Sequence, residues 1–197
     1  EFVIALGKAG FMGVFGAGGC IPARIEKAIQ SIQGALSNQP YAFNLINSPF
    51  EPALEQKAVE LYLRYGVRVI EASAYLNLTK NLVRYRVSGL SQNQDGSIRI
   101  GNRVIAKLSR KEVAGKFLQP APEDILTQLV SEGVVSVEQA QLARMVPIAD
   151  DITVEADSGG HTDNRPLVGI LPAIIRLRDS LQGKYHYPSL VRVGAAG

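Results

Sequence analysis

The sequence DITVEADSGGH, residues 151–161, joins a short β-branched run to two glycines and a histidine. Residues 151–156 are typical of a β-strand, because they are rich in β-branched side chains. The small and polar residues that follow predict a loop in which a ligand can approach the backbone, since glycine has no Cβ. The rest of the chain repeats this unit of a short strand followed by small or polar residues.

Short apolar runs alternate along the chain with stretches of helical periodicity. The predicted strands are residues 11–15, 41–46, 67–74, 98–100, 104–108, 151–156 and 190–193. The predicted helices are residues 22–36, 51–65, 79–87 and 166–181. Asp95-Gly96 and Gly101-Asn102 are turn pairs, and residues 98–100 are predicted to form a hairpin with residues 104–108.

Residues 121–144 contain two helical patterns where a plain strand–helix unit needs one. The patterns are separated near Gly133, and Ser136 is a good N-cap for the second helix. We therefore interpret residues 120–146 as a helical insertion.

Small and polar residues lie at or just after the carboxyl ends of the predicted strands. They are residues 16–19, Asn44, Ser73, Lys107, residues 158–161 and residues 194–197. In a (β/α) barrel these ends meet on one face, which holds the active site, whereas a doubly wound sheet has its site at one switch point. The pattern favours an α/β fold of the (β/α)8 TIM barrel type. About six of its eight strands fall within residues 1–197, so we expect others before Glu1 and after Gly197.

The composition limits the classes of function. The 197 residues are 46% hydrophobic and 20% charged, with a net charge of +3, and no apolar run reaches the about 18 residues of a membrane span. The positive charge is dispersed, so nucleic acid is not expected as a partner. The chain has one cysteine, Cys20, and two histidines, which excludes an internal disulfide and argues against a zinc site. We expect a protein of a reducing compartment, the cytoplasm, without a bound metal.

Residues 158–161 are the strongest candidate site. Gly159 and Gly160 allow close approach of a ligand, and His161 can donate or accept a proton near neutral pH. The alternative is a tight polar turn that leads into the next helix.

Three further candidates each have a structural alternative. Asn44 either hydrogen-bonds a ring system or closes its strand with an Asx turn. Lys107 lies in an apolar strand and needs a partner, either an anionic or electron-rich cofactor or the carboxylates of Glu71 or Glu155. The small residues 194–197 either present backbone N–H groups to a phosphate or pack closely at a strand end.

Five stretches together resemble the PfaD family, the trans-acting enoyl reductases of bacterial polyunsaturated fatty acid and polyketide synthases. They are YAFNLINSP (residues 41–49), GVRVIEASAYL (66–76), NRVIAKLSR (102–110), EADSGGHTDNRPL (155–167) and VRVGAAG (191–197). The resemblance extends over essentially the whole chain. The GGH element is more distantly similar to that of nitronate monooxygenases and flavin-dependent enoyl-acyl carrier protein reductases, which share the barrel.

The resemblance implies FMN at the barrel mouth, reduced by NADPH or NADH. Hydride then passes to an α,β-unsaturated thioester on an acyl carrier protein. His161 matches the catalytic histidine, and residues 194–197 begin the phosphate loop. The residues expected to bind the cofactor are Asn44, Ser73, Lys107, Ser158, Gly159, Gly160, Gly194, Ala196 and Gly197. The oligomeric state stays open, with a homodimer as one expectation.

Two alternatives use the same barrel. The distant relatives carry GGHxG, whereas residues 162–165 here are Thr-Asp-Asn-Arg, so the match does not establish that His161 serves the same step as in nitronate oxidation. A nitronate monooxygenase-type flavin oxidase would use His161 as a base and oxygen as the oxidant. A non-catalytic barrel that binds acyl carrier protein is the second alternative.

Overall fold

A six-stranded parallel β-sheet forms the centre of the computed structural model, which describes residues 1–157 and 164–196. The strands are β1 (Gly13–Phe15), β2 (Tyr41–Ile46), β3 (Val69–Ser73), β4 (Leu90–Gln92), β5 (Ile98–Ile100), β6 (Arg103–Leu108), β7 (Asp151–Glu155) and β8 (Arg192–Ala196). The sheet order is β1-β2-β3-β6-β7-β8, so each strand pairs with the next one of the sheet along the chain.

Eight helices connect the strands within the described residues. They are α1 (Phe2–Lys8), α2 (Pro22–Ala35), α3 (Pro52–Arg64), α4 (Lys80–Ser88), α5 (Lys111–Phe117), α6 (Glu123–Ser131), α7 (Val137–Ala143) and α8 (Leu167–Tyr185). Proline occupies the first turn of α2 and α3, where its missing N–H leaves no hydrogen bond unmade. No helix of the described chain is long and apolar enough to cross a membrane.

The two faces of the sheet differ in character because successive residues of a strand point to opposite sides. One row runs in register across five strands and packs with the helices in the hydrophobic core; it consists of Leu45, Ala72, Ala106, Ile152 and Val193. The neighbouring row, on what we call the inner face, consists of Asn44, Glu71, Ile105, Asp151 and Arg192. Its first four members remain half-buried and its last is exposed, so the described helices pack on the core face alone.

This arrangement is that of a (β/α) barrel. A doubly wound sheet would reverse its strand order at a switch point and carry helices on both faces. Sequential parallel strands with helices on one face are the barrel pattern. The predicted fold class is therefore confirmed, with six barrel strands in the described residues.

The predicted hairpin between residues 98–100 and 104–108 is wrong. Strand β5 pairs antiparallel with β4, whereas β6 lies in the parallel sheet between β3 and β7. The turn forms at Asp95-Gly96: Gly96 has a φ of 82°, and Asp95 Oδ1 accepts the Ser97 N–H at 2.9 Å. Strand β4 is short and polar, and it therefore gives no strand pattern in the sequence.

Other differences concern short elements. The helices α1 and α5, of seven residues each, are not among the predicted helices. Strand β8 comprises Arg192–Ala196 instead of residues 190–193. Gly194 and Ala196 pair with β7 through their backbones. Neither residue type is typical of strands, so the sequence pattern does not predict this part of β8.

The two predicted helices of residues 121–144 are confirmed as α6 and α7. Gly133 separates them in a left-handed conformation with a φ of 68°, and Ser136 forms a capping box with Gln139 at the start of α7. Helix α5 contacts β6, while α6 and α7 both contact α4. Of the three helices between β6 and β7, α5 therefore completes the strand–helix unit, and α6 and α7 add a layer outside it.

Arg86 connects three segments beneath the sheet. Its side chain is 1% exposed and lies 2.8 Å from Asp150 Oδ2. The guanidinium also donates to the carbonyl oxygens of Pro147, at 2.9 and 3.1 Å, and of Asn102, at 3.0 Å. Asp150 Oδ2 in turn accepts the N–H of Val104 at 2.9 Å. The pair therefore joins α4 to the segments that lead into β6 and β7.

We expect Arg86→Met to lower the free energy of unfolding by about 3–5 kcal/mol, because it leaves a half-buried carboxylate without its partner. Urea unfolding followed by circular dichroism measures this. The control is Arg144→Met, which removes an ion pair between two exposed side chains, Arg144 and Glu123, and should change the unfolding midpoint little. Equal effects of the two substitutions would contradict the role given to Arg86.

Candidate functional site

Three of the predicted site residues lie together on the inner face, near the carboxyl ends of adjacent strands. Asn44 on β2 donates from Nδ2 to Ser73 Oγ on β3 at 2.9 Å. Ser73 Oγ donates to Glu71 Oε1 at 3.1 Å, and Lys107 Nζ on β6 lies 3.6 Å from the same oxygen. Glu71 Oε1 thus connects the amide, the hydroxyl and the ammonium group.

Lys107 has carboxylates on both sides. Its Nζ lies 3.2 Å from Glu155 Oε1 on β7 as well as 3.6 Å from Glu71 Oε1, so the ion pairs expected for this residue are present. Partial burial lowers the pKa of Lys107, but Glu71 and Glu155 together outweigh it and leave the pKa above its ordinary value. Lys107 is therefore a cation throughout the neutral range.

A cavity of about 540 Å³ opens beside this network, within the range of small-molecule sites. Its polar wall includes Ser73, Lys107 and Glu155, while Ile46 and Leu76 are part of its apolar wall. The combination of apolar walls with a few converging polar groups suits an organic ring or acyl group more than an ion.

A second cavity, of about 180 Å³, lies at the loops that follow β1 and β2, and Asn44 is one of its lining residues. The Glu55 carboxylate, 4% exposed, is another, and it accepts hydrogen bonds from Asn47 Nδ2 at 3.2 Å and from Thr79 Oγ1. Burial, together with the charge of Glu55, raises the pKa of Tyr75 well above its ordinary value. Through its hydrogen bonds with Asn47 and Thr79, Glu55 joins the loop after β2 to the N-cap of α4.

The small residues of β8 leave open space. A Cβ added at Gly194 would meet no described atom within 4 Å, and Gly194 pairs with Thr153 at the middle of β7. Close packing against described residues therefore does not explain this glycine. Ala196 pairs with Glu155 in the same ladder.

Five predicted site residues lie outside the described residues: Ser158, Gly159, Gly160, His161 and Gly197. The segment 158–163 lies between β7 and α8 in the sequence. The roles of these five residues stay predictions. In the described part of the chain, no three His, Cys, Asp or Glu side chains group as a metal site.

Two features of the site were not predicted. Glu71 was identified only as an ion-pair partner of Lys107, and its bond with Ser73 becomes visible only when the strand register is known. Ala74, directly after β3, has a φ of 62°, a left-handed conformation that alanine rarely adopts and that clusters at functional sites. No signal in the sequence indicates it.

The chain is similar to proteins of polyunsaturated fatty acid and polyketide biosynthesis, although no family model matches it. It is 55% identical over 199 residues to a polyunsaturated fatty acid synthase component of Thraustochytrium sp., covering 100% of this chain and 13% of that protein. It is 48% identical over 198 residues to the polyketide biosynthesis protein PksE of Bacillus subtilis, covering 100% of the chain and 26% of PksE. The chain thus spans about a quarter of the length of these relatives, or less.

Solved structures agree with the fold. The enoyl reductase domain of MlnA, from the macrolactin biosynthesis cluster of Bacillus amyloliquefaciens, superposes with a TM-score of 0.94 at 38% identity, covering 100% of this chain and 44% of that one. FabK of Thermotoga maritima superposes with a TM-score of 0.54 at 17% identity, covering 98% of this chain and 52% of FabK, which supports the fold alone. These similarities confirm the resemblance, seen in the motifs, to PfaD-like enoyl reductases of polyunsaturated fatty acid and polyketide biosynthesis.

Proposed function

We propose that residues 1–197 are part of an FMN-binding barrel that acts as an enoyl reductase. The substrate is an α,β-unsaturated acyl thioester on an acyl carrier protein, and NADPH or NADH is the reductant. One observation carries the proposal: Asn44, Ser73 and Lys107 belong to one polar network on the inner face, and Ser73 and Lys107 line a cavity of about 540 Å³. They do so in a chain 38% identical to the enoyl reductase domain of MlnA.

The polar groups fit a flavin. Asn44 Nδ2 and the Ser73 hydroxyl donate within the protein, which leaves the amide oxygen and Ser73 Oγ to accept a ring N–H. The Lys107 ammonium can donate to a carbonyl oxygen or ring nitrogen, and the apolar wall at Ile46 and Leu76 suits the hydrocarbon edge of the ring. We propose that Gly194 and Ala196 begin the phosphate site, because the open space at Gly194 lets a ligand approach the backbone. Gly159 and Gly160 complete the wall against the ring, as the family resemblance implies.

When bound, the flavin supplies the hydride chemistry, and the protein binds, orients and tunes it. Addition of hydride to the β-carbon of the enoyl thioester leaves an enolate on the α-carbon and the thioester oxygen. We assign to His161 the proton that this enolate takes up. Lys107, held as a cation, supplies fixed positive charge beside the ring.

The proposed partner is an acyl carrier protein. The relatives belong to polyunsaturated fatty acid and polyketide synthesis, in which intermediates are carried as thioesters. The chain has a net charge of +3, which favours the approach of an acidic partner. A cytoplasmic location would supply both the carrier protein and the nicotinamide.

The complete protein should purify with FMN and show the visible absorbance of oxidised flavin. Under anaerobic conditions NADPH should bleach this absorbance, and a crotonyl thioester should restore it, because the thioester accepts the hydride. Absorbance spectroscopy follows both steps. Reoxidation by oxygen with a nitronate substrate, but not by the thioester, would show a flavin oxidase instead. A colourless protein that takes up no FMN would support the non-catalytic, carrier-binding alternative.

His161→Ala should retain FMN but reduce crotonyl thioester turnover by about 10²–10⁴-fold, the usual cost of losing a general acid. The control is His186→Asn, at the other histidine of the chain. His186 is the C-cap of α8 in a left-handed conformation, which asparagine tolerates, and turnover should not change. Full thioester reduction by His161→Ala would refute the assignment.

A further inference from the structure

Two carboxylates contact the Lys107 ammonium, one more than is needed to neutralise its charge. Glu71 on β3 and Glu155 on β7 lie 3.6 and 3.2 Å from Nζ. Their side chains are 20% and 23% exposed, so solvent screens them only in part. The three groups together have a formal charge of −1, and Arg110 adds a second positive charge at the cavity wall. We call Glu71 and Glu155 the carboxylate clamp.

The clamp fixes more than the lysine. Glu71 Oε1 also accepts the Ser73 hydroxyl at 3.1 Å and lies 3.5 Å from Asn44 Nδ2. Loss of this acceptor would free the hydroxyl and leave Lys107 with Glu155 alone. Glu155, in contrast, contacts only Lys107 among these donors. The two carboxylates therefore share one electrostatic role, and Glu71 has a second role in orienting the donors.

We propose that the carboxylate clamp consists of positioning residues that hold Asn44, Ser73 and Lys107 in place beside the flavin and keep its reduction potential low. This inference rests on the proposed function. Oxidised flavin is neutral at its ring, whereas the two-electron-reduced ring can carry a negative charge. Nearby negative charge disfavours the reduced form, and nearby positive charge favours it. The clamp offsets the positive charge that Lys107 and Arg110 place at the cavity, and it therefore makes the bound flavin a stronger hydride donor than these two cations alone would allow.

The test uses the full-length protein loaded with FMN. The midpoint potential is measured by anaerobic equilibration with a reference dye, and the dissociation constant for FMN by fluorescence. Glu71→Gln and Glu155→Gln should each raise the potential, the double variant should raise it further, and Lys107→Met should lower it. Glu71→Gln should also weaken FMN binding about tenfold, as expected when a charged hydrogen-bond acceptor is lost. Glu155→Gln should weaken it less.

Strand β7 provides a matched control. Asp151 lies on the same face as Glu155, has a side chain 20% exposed and is paired with Arg192, but it stands four residues earlier, about 13 Å away. Asp151→Asn should shift the potential much less than Glu155→Gln. Glu155→Asp keeps the charge, and its potential should stay near that of the unchanged protein even if packing is disturbed.

The outcomes separate the two proposals. If the unchanged protein binds no FMN, the proposed function fails. If it binds FMN and reduces the thioester, but neither glutamine variant raises the potential, the inference about the clamp is overturned and the proposed function stands. Equal shifts in Glu155→Gln and Asp151→Asn would also overturn it, because the effect would then not be specific to the clamp.

Discussion

The parallel register of β2, β3, β6 and β7 determines where every polar group of the site lies. Successive residues of each strand point to opposite faces, so Asn44 and Glu71 share the inner face while Leu45 and Ala72 share the core. A shift of one residue in this pairing would exchange the two rows and bury the polar one. The helices hold the register, because the apolar row packs against them in one continuous core.

The polar groups on the inner face are stable there because they have partners. Burial of an amide or an ion that has no hydrogen-bond or ion-pair partner is costly. Asn44 has Ser73, Ser73 has Glu71, and Lys107 has two carboxylates. The same network holds the donors in fixed positions before any ligand binds, and a binding site gains affinity from such preorganisation.

Much of this organisation follows from the sequence. Strands ending in Asn44, Ser73 and Lys107 were recognisable because β-branched runs alternate with helical stretches, and barrel strands bring such ends together. The partner of β5 was not predictable, because Leu90–Gln92 carries no strand pattern. In addition, turn pairs on both sides of β5, Asp95-Gly96 and Gly101-Asn102, are each able to form the turn of a hairpin. Glu71 was underestimated because its contacts depend on register between strands far apart in sequence, and the left-handed Ala74 is set by tertiary structure alone.

The central claim is that Asn44, Ser73 and Lys107 form one side of a flavin site. A crystal structure of the full-length protein with FMN tests it directly. The account predicts the isoalloxazine ring at the inner face, with Lys107 Nζ and the side chains of Asn44 and Ser73 within hydrogen-bonding distance of its heteroatoms. FMN bound elsewhere, or at the barrel mouth without contact to any of these three side chains, would contradict it.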